Sequence, residues 1–428
     1  MRVPVALALA AALPALAAPL APAAAQEPPA AAKPAQPGET AQPDKPAQPG
    51  AGEVRIGLIH RPVPAPSSYD AQAAPEDEGA AGGRLAVRDS NTTGRFTGQS
   101  FVLDEVALAT ASPGGAPPQE PAAAAKELAG RGIRFIVLAL PAAEVLAVAD
   151  ALKGSGVTLF NAAAPDDRLR GADCRAEVFH VVPSRAMQTD ALAQFLAFMR
   201  WRKLFLITGP GEGDRLWAEA LKRSAKKFGL QIAAERPWTF GPLARARGDT
   251  PTRAEALVFT RGLDYDVAVV ADEAGDFGDY VPFHTADPRP VAGTQGLTPV
   301  TWHPTLEVWG AAQAQNRFRR FADRLMRPLD YQVWAAVRAV GEAAMQARTV
   351  EPAALAARLV DPAFTLPAYK GVPLSFRPWD HQLRQPMLLV QPQALVAVAP
   401  EQGYLHQRTP LDTLGIDQPE TQCRPAKP

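Results

Sequence analysis

The stretch "DYDVAVVADEAGDFGDY", Asp264 to Tyr280, holds the densest set of groups able to do chemistry. Asp264 and Asp266 precede an apolar run, and Asp272, Glu273, Asp276 and Asp279 follow it with Gly275 and Gly278 between them. Four carboxylates on one loop can coordinate a hard cation through oxygen. They can also clamp a cationic or polar organic ligand, or stand as a solvated loop; the spacing is not that of an EF-hand. A second stretch, "FLITGPGEGDRLWAEA", has the strand–glycine loop–helix form of a dinucleotide site, with Gly209 and Gly211 in place. Its third glycine position is Asp214, whose carboxylate would repel pyrophosphate, so the loop also reads as a helix start capped by Asp214. No G-x-S-x-G elbow or H-E-x-x-H pair occurs, and the six histidines show no helical metal spacing. These missing constellations disfavour an enzyme, so no catalytic activity and no cofactor are expected. Trp302 and Trp309 flank a strand end and either stack on a ligand or fill the seam between lobes. Arg317, Arg320, Arg324 and Arg327 fall near one helix face, as a solvated surface or as a docking face for a membrane partner.

The elements that position these groups follow from composition and pattern. The chain has 428 residues, 47% of them apolar, enough for two domains. Basic and acidic residues balance at 44 each, so net charge suggests no nucleic-acid partner. Arg2, the apolar "VPVALALAAALPALAA" and the small-residue "APAAAQ" read as an export signal over 1–25, cut after Ala25. Residues 26–52, rich in Pro, Ala and Gln, read as a linker. Cys174 and Cys423 are the only cysteines. In an oxidising compartment they form one disulfide, or else stand as two separate thiols.

From "EVRIGLIH" onward strands and helices alternate, which predicts α/β architecture with parallel sheets and right-handed crossovers. The unit repeats on both sides of Pro183, so two similar doubly wound lobes are expected. The first takes 53–182 plus about 302–365, the second 183–301 plus about 366–399, and 400–428 forms an irregular tail. Near the end, "AYKGVPLSFRPWDHQLRQPMLLVQ" reads as a hairpin with Leu374 and Phe376 opposite Met387 and Leu389.

This layout resembles the periplasmic substrate-binding proteins of branched-chain amino acid ABC transporters, the type I periplasmic-binding fold. "VRIGLIHRPVPAPSSYD" resembles their opening strand and first ligand loop, and "NTTGRFTGQSFVLDEV" their Asn-x-x-Gly turn and second strand. "WRKLFLITGPGEGDRLWAEALKRSAKKFGLQI" resembles the start of their second lobe, and "RFADRLMRPLDYQVWAAVRAVGEAAM" their late helices. The likeness runs from about Glu53 to Gln391. Within it, "CRAEVFHVVPSRAMQTDALAQFLAFMRWRKLFLI" and "DTLGIDQPETQC" are similar to a branch encoded beside PQQ-dependent alcohol dehydrogenases.

The resemblance implies a periplasmic monomer that closes on a small ligand by hinge motion and works with an inner-membrane ABC permease. It does not carry over the amino-acid clamp. In the amino-acid binders the loops after the third and fourth strands bear Ser and Thr; here they read Ala139 to Val145 and Asn161 to Ala164. A buried zwitterion needs paired charges, so an ordinary amino acid is not expected. An apolar or quinone-like product or cofactor of alcohol oxidation is expected instead, held by His60, Tyr69, Glu144, Asn161, Asp272, Glu273 and Trp302. The alternatives are a lanthanide or calcium ion on Asp272, Glu273, Asp276 and Asp279, a ligand-free adaptor, and a nucleotide-using α/β enzyme.

Overall fold

The computed structural model describes residues 52–62, 74–109, 120–239 and 251–423. The expected export signal, the linker up to residue 51 and Tyr69 lie outside the described residues.

Five parallel strands build the first sheet: β1 (Gly52–His60), β2 (Gln99–Ala107), β3 (Phe135–Ala139), β4 (Thr158–Asn161) and β5 (Val178–His180), in the order β2-β1-β3-β4-β5. Helices α1 (Ala80–Thr97), α2 (Pro121–Gly130) and α3 (Ala142–Ala151) make the crossovers. The central strands are near-continuous apolar runs because both faces are covered. Ile56 and Leu58 face one helical layer, and Ile59 and Ile136 the other. After the crossover, α4 (Arg185–Phe198) leads into β6 (Lys203–Thr208), α5 (Glu212–Lys227), β7 (Gln231–Pro237), α6 (Pro251–Thr260), β8 (Val267–Ala271) and β9 (Val291–Gly293). The second sheet is also parallel, with order β7-β6-β8-β9. The chain is thus an α/β protein of two doubly wound lobes.

After β10 (Thr298–Val300), the chain returns to the first lobe through α7 (Ala311–Ala322), α8 (Pro328–Ala347) and α9 (Pro352–Val360). Helix α8 lies on α1, and the contact is close because α1 opens on small residues. A Cβ added at Gly82 would stand 1.9 Å from the Asp330 carbonyl oxygen. Gly82→Ala is therefore expected to destabilise the protein by about 1–3 kcal/mol, read from the denaturant midpoint.

The late hairpin is not the one expected. Phe376 in β11 (Ser375–Phe376) pairs with Leu383 in β12 (Leu383–Arg384), across a turn closed by Arg377 N–H donating to the Gln382 carbonyl at 2.9 Å. Met387 and Leu389 lie in β13 (Met387–Gln391), which pairs with β10 and β14 (Ala394–Ala399). The reason is a buried polar plug. The Gln382 amide donates to the His180 and Val182 carbonyls at 3.1 and 3.2 Å, and the Gln385 amide donates to the Val181 carbonyl at 2.7 Å. These bonds seat the turn on the crossover, while Phe376 packs edge-on against Phe179 at 5.0 Å. Leu366, Leu374, Phe376 and Leu383 accordingly join the first-lobe core, and Leu389 joins the second.

The four arginines do not form one helix face either. Helix α7 ends at Ala322, and Arg324 and Arg327 lie beyond it. Arg317 pairs with Asp89, Arg324 with Asp77 and Asp330, and Arg327 with Glu78.

The tail is docked. Asp412 accepts from Arg377 and Arg384 at 2.9 and 2.8 Å, Leu414 enters the second-lobe core, and Gly415 N–H donates to the buried Asp190 at 2.8 Å. A disulfide joins Cys174 to Cys423, with Cα atoms 5.5 Å apart.

Lys370 is buried, its ammonium donating to the Thr301 carbonyl and lying 5.0 Å over the Tyr331 ring. Burial pulls its pKa down to about 7. The unfolded lysine, near 10.4, then holds more protons than the folded one between about pH 7 and 10, so stability rises with pH across that window. Lys370→Met is expected to remove that rise, seen as a flatter melting temperature between pH 7 and pH 10.

Candidate ligand cleft

In an open α/β sheet the ligand sits outside the strand C-termini where the strand order reverses. The first-lobe reversal falls between β1 and β3, where His60 registers with Ala139. The second-lobe reversal falls between β6 and β8, where Thr208 registers with Ala271. Arg185, at the start of α4, ties the two ends together: it forks onto Glu273 at 2.8 and 2.7 Å and reaches Asp166 at 3.2 Å. Asp166 follows β4 of the first lobe and Glu273 follows β8 of the second, so the two sets of strand ends meet at one guanidinium. Burial opposes the Arg185 charge, but the bonds and charge of Glu273, with those of Asp166, outweigh it and raise its pKa above the usual value.

The first wall carries a second fork. Arg61 directly follows β1 and donates to Glu144 from Nε and Nη2, the shortest distance being 2.9 Å. Glu144 sits in the first turn of α3, whose N-cap is Pro141 with no side-chain cap. The pair leaves both side chains about one-quarter exposed, 24% and 25%. His60 is buried; its Nε2 meets Glu105 at 3.1 Å and its Nδ1 has no partner. At the end of β6 the Thr208 hydroxyl is likewise buried without a partner.

Asn161 and Asp272 spend their side chains on their own loops. Asn161 is fully buried; its Oδ1 accepts from Ala163 and Ala164 N–H at 3.2 and 2.9 Å, and its Nδ2 donates to the Ala164 carbonyl at 2.8 Å. Its Nδ2 also lies 3.1 Å from His180 Nδ1. Burial first, then the charge of Arg170, hold the His180 pKa well below its usual value, so that ring stays neutral. Asp272 accepts from the N–H groups of Asp276, Phe277 and Gly278 at 3.0, 2.8 and 2.6 Å. Together with the Glu273–Arg185 fork, this commits two of the four loop carboxylates. Among the described residues no group of three or more His, Cys, Asp or Glu is placed to hold a metal ion.

Trp302 is fully buried in the first-lobe core, stacked on Tyr331 at 5.0 Å, with its indole N–H donating to Gln315 at 2.9 Å. It does not reach the cleft. Asp214 caps its loop, accepting from Gly211 N–H at 2.9 Å and Glu273 N–H at 2.7 Å, so a carboxylate occupies the helix N-terminus that a pyrophosphate would need. On the second lobe a recess of 320 Å³ is lined by Gln188, Trp217, Asp272, Glu273, Thr294 and Thr298 among others. Of the expected site residues, the structure brings Glu144, Glu273 and His60 to the strand ends with accessible chemistry or an unpartnered atom. Arg61, Arg185 and Thr208 were not expected. Arg61 had a signal, being the first residue after a buried strand; Arg185 had only its place after the crossover.

The family model described as "Periplasmic binding protein" matches residues 61–245. No curated protein sequence matches the chain. Among solved structures, the Brucella ovis leucine-, isoleucine-, valine-, threonine- and alanine-binding protein, in a closed conformation, superposes with a TM-score of 0.66 at 14% identity, covering 88% of this chain and 100% of that one. A Burkholderia xenovorans branched-chain amino acid ABC transporter periplasmic ligand-binding protein gives 0.63 at 16%, covering 81% and 95%. An R. palustris ABC-transporter solute-binding protein in complex with benzoate gives 0.60 at 14%, covering 87% and 100%. The chain has the type I periplasmic binding protein fold. Among the described residues no helix is long and apolar enough to cross a membrane.

Proposed function

We propose that this chain is the solute-binding component of an ABC transporter, exported to the periplasm and delivering a small molecule to an inner-membrane permease as a monomer. The observation that carries the reading is the pair of strand ends at the two reversal points. His60 Nδ1 and Thr208 Oγ1 are buried there without partners, and such atoms are ordinarily satisfied by a ligand or ordered water. The family match over 61–245 and the solved relatives support the same class.

The ligand is a small molecule other than an ordinary amino acid, tied to PQQ-dependent alcohol oxidation. Two facts support the first half. The loops after β3 and β4 offer no hydroxyl, and Glu144 and Glu273 are each already paired with an arginine, so a zwitterion would have to displace an internal ion pair to use either of them. The likeness of Cys174 to Ile207 and of Asp412 to Cys423 to the dehydrogenase-linked branch supports the second. A ligand-free adaptor is the second reading, favoured by the Arg61–Glu144 and Arg185–Glu273 forks, which fill both walls with internal pairs.

Thermal-shift screening of the mature protein against alcohols, carboxylic acids, quinones, calcium and lanthanum separates them. Solute binding predicts a melting-temperature rise that grows with concentration for an organic member, by about 2.7 kcal/mol of added stability at a hundred times Kd. That rise should vanish in His60→Ala. A flat response across the whole panel supports the adaptor. A rise with lanthanum lost in Asp272→Ala and Asp276→Ala would replace both with a metal-binding role.

A further inference from the structure

On the flank of the first lobe, where α1, α7 and α8 meet the 367–373 segment, lies a pocket of 790 Å³. That volume is within the range of small-molecule sites. None of its lining residues follows a parallel-strand C-terminus, so it is separate from the cleft.

Two of its aromatic residues hold unusual backbone. Trp309 and Tyr369 both have φ of 57°, in the left-handed region that bulky side chains rarely enter. The two turns interlock. A Cβ at Gly371 would lie 2.6 Å from the Trp309 ring, and one at Gly310 would lie 3.3 Å from the Tyr369 ring. Each ring is thus seated on the glycine of the opposite turn. Strain of this kind concentrates at ligand clamps. Trp309 nevertheless stays 49% exposed at the pocket rim. Behind it, Tyr369 packs on Trp334 at 5.5 Å, Trp334 on Tyr331 at 5.9 Å and Tyr331 on Trp302 at 5.0 Å, so the wall is rigid back to the core.

The charge of the pocket is mostly positive. Arg317 donates to Asp89 at 3.1 Å and to the Tyr369 hydroxyl at 2.9 Å, and its Nε is buried with no partner. Arg338 donates to Ser90 at 2.9 Å, with Glu342 at 3.5 Å. Asp89 also accepts from the Trp334 indole at 3.0 Å, so its charge is shared out. Flat aromatic faces beside guanidinium groups with donors to spare suit stacking plus an anionic hydrogen-bond acceptor.

We propose that this pocket is a second ligand site, taking a planar aromatic anion whose ring stacks on Trp309 and whose negative group meets Arg317 and Arg338. Naphthalene-2-carboxylate is a probe of that class, and its neutral amide is the matched control. Calorimetry on the mature protein should show the carboxylate binding at least about tenfold tighter than the amide. Trp309→Ala and Arg317→Gln should each weaken the carboxylate about tenfold or more, while Trp309→Phe, which keeps a ring, should retain most of the affinity in a protein of unchanged melting temperature. Arg61→Ala in the cleft should leave it unchanged, which separates this site from the cleft reading. No binding by folded wild-type protein at millimolar probe, equal binding of the amide, loss on Arg61→Ala, or indifference to both pocket variants would overturn the proposal.

Discussion

Replacing Cys174 and Cys423 together by serine is expected to lower stability by about 2–5 kcal/mol. The bridge spans 249 residues, so breaking it restores to the unfolded chain the freedom of a very long loop. It also ends the tail that begins after β14. That tail grips the second lobe through Leu414 and Gly415, and grips Arg377 and Arg384, which flank the β11–β12 turn on the first lobe, through Asp412. With the bridge gone these anchors remain, so the variant should fold and lose stability rather than fail outright. Urea unfolding of oxidised wild type and of the double variant tests this. Coincident midpoints, or two freely alkylated thiols in unreduced wild type, would refute it.

Asp330→Ala should cost as much, about 3–5 kcal/mol, because it strands a partly buried charge. Asp330 is fully buried at the start of α8. It accepts from Arg324 at 2.7 and 2.9 Å, from Arg327 N–H at 2.9 Å and from Gly79 N–H at 2.8 Å. One carboxylate thereby fixes the start of α8, the approach to it and the start of α1. Removing it leaves Arg324, which is 17% exposed, with Asp77 as its remaining carboxylate partner among the described residues, beside the Leu325 carbonyl, and leaves the Gly79 N–H without its acceptor. Asp330→Asn keeps an acceptor and loses the charge, so it should fall between the two. A loss below about 1 kcal/mol for the alanine variant would show that water or Asp77 takes over the role.

The elements that pattern sets locally were the legible ones. The run from Ile56 to Ile59 is buried on both faces, and α1 ends where Gly98 takes the left-handed cap, so strand, helix and lobe order could be read from neighbours in sequence. The site was legible only in part, because a polar residue after a strand has two uses. Asn161 and Asp272 have the right type and place for a ligand, yet each folds back on N–H groups two to six residues ahead. The pairs that do line the cleft join Arg61 to Glu144 and Arg185 to Glu273, separations of 83 and 88 residues that no local pattern signals. The late hairpin misled for a related reason. Alternating apolar residues on both sides of "RPWDHQ" satisfy a strand pattern, while register is decided by Gln382 and Gln385 reaching the crossover some 200 residues back.

Leucine calorimetry on the mature, ligand-stripped protein tests the central proposal most directly, since the fold is shared with a leucine-, isoleucine-, valine-, threonine- and alanine-binding protein and the proposed ligand is not an ordinary amino acid. With Glu144 and Glu273 paired to arginine, Asp272 held by backbone N–H groups and no hydroxyl after β3 or β4, no heat of binding is predicted at micromolar leucine, isoleucine or valine. A leucine Kd of about 1 μM, near −8 kcal/mol, would mean that the Arg61–Glu144 and Arg185–Glu273 pairs open to receive a zwitterion, and it would contradict the account.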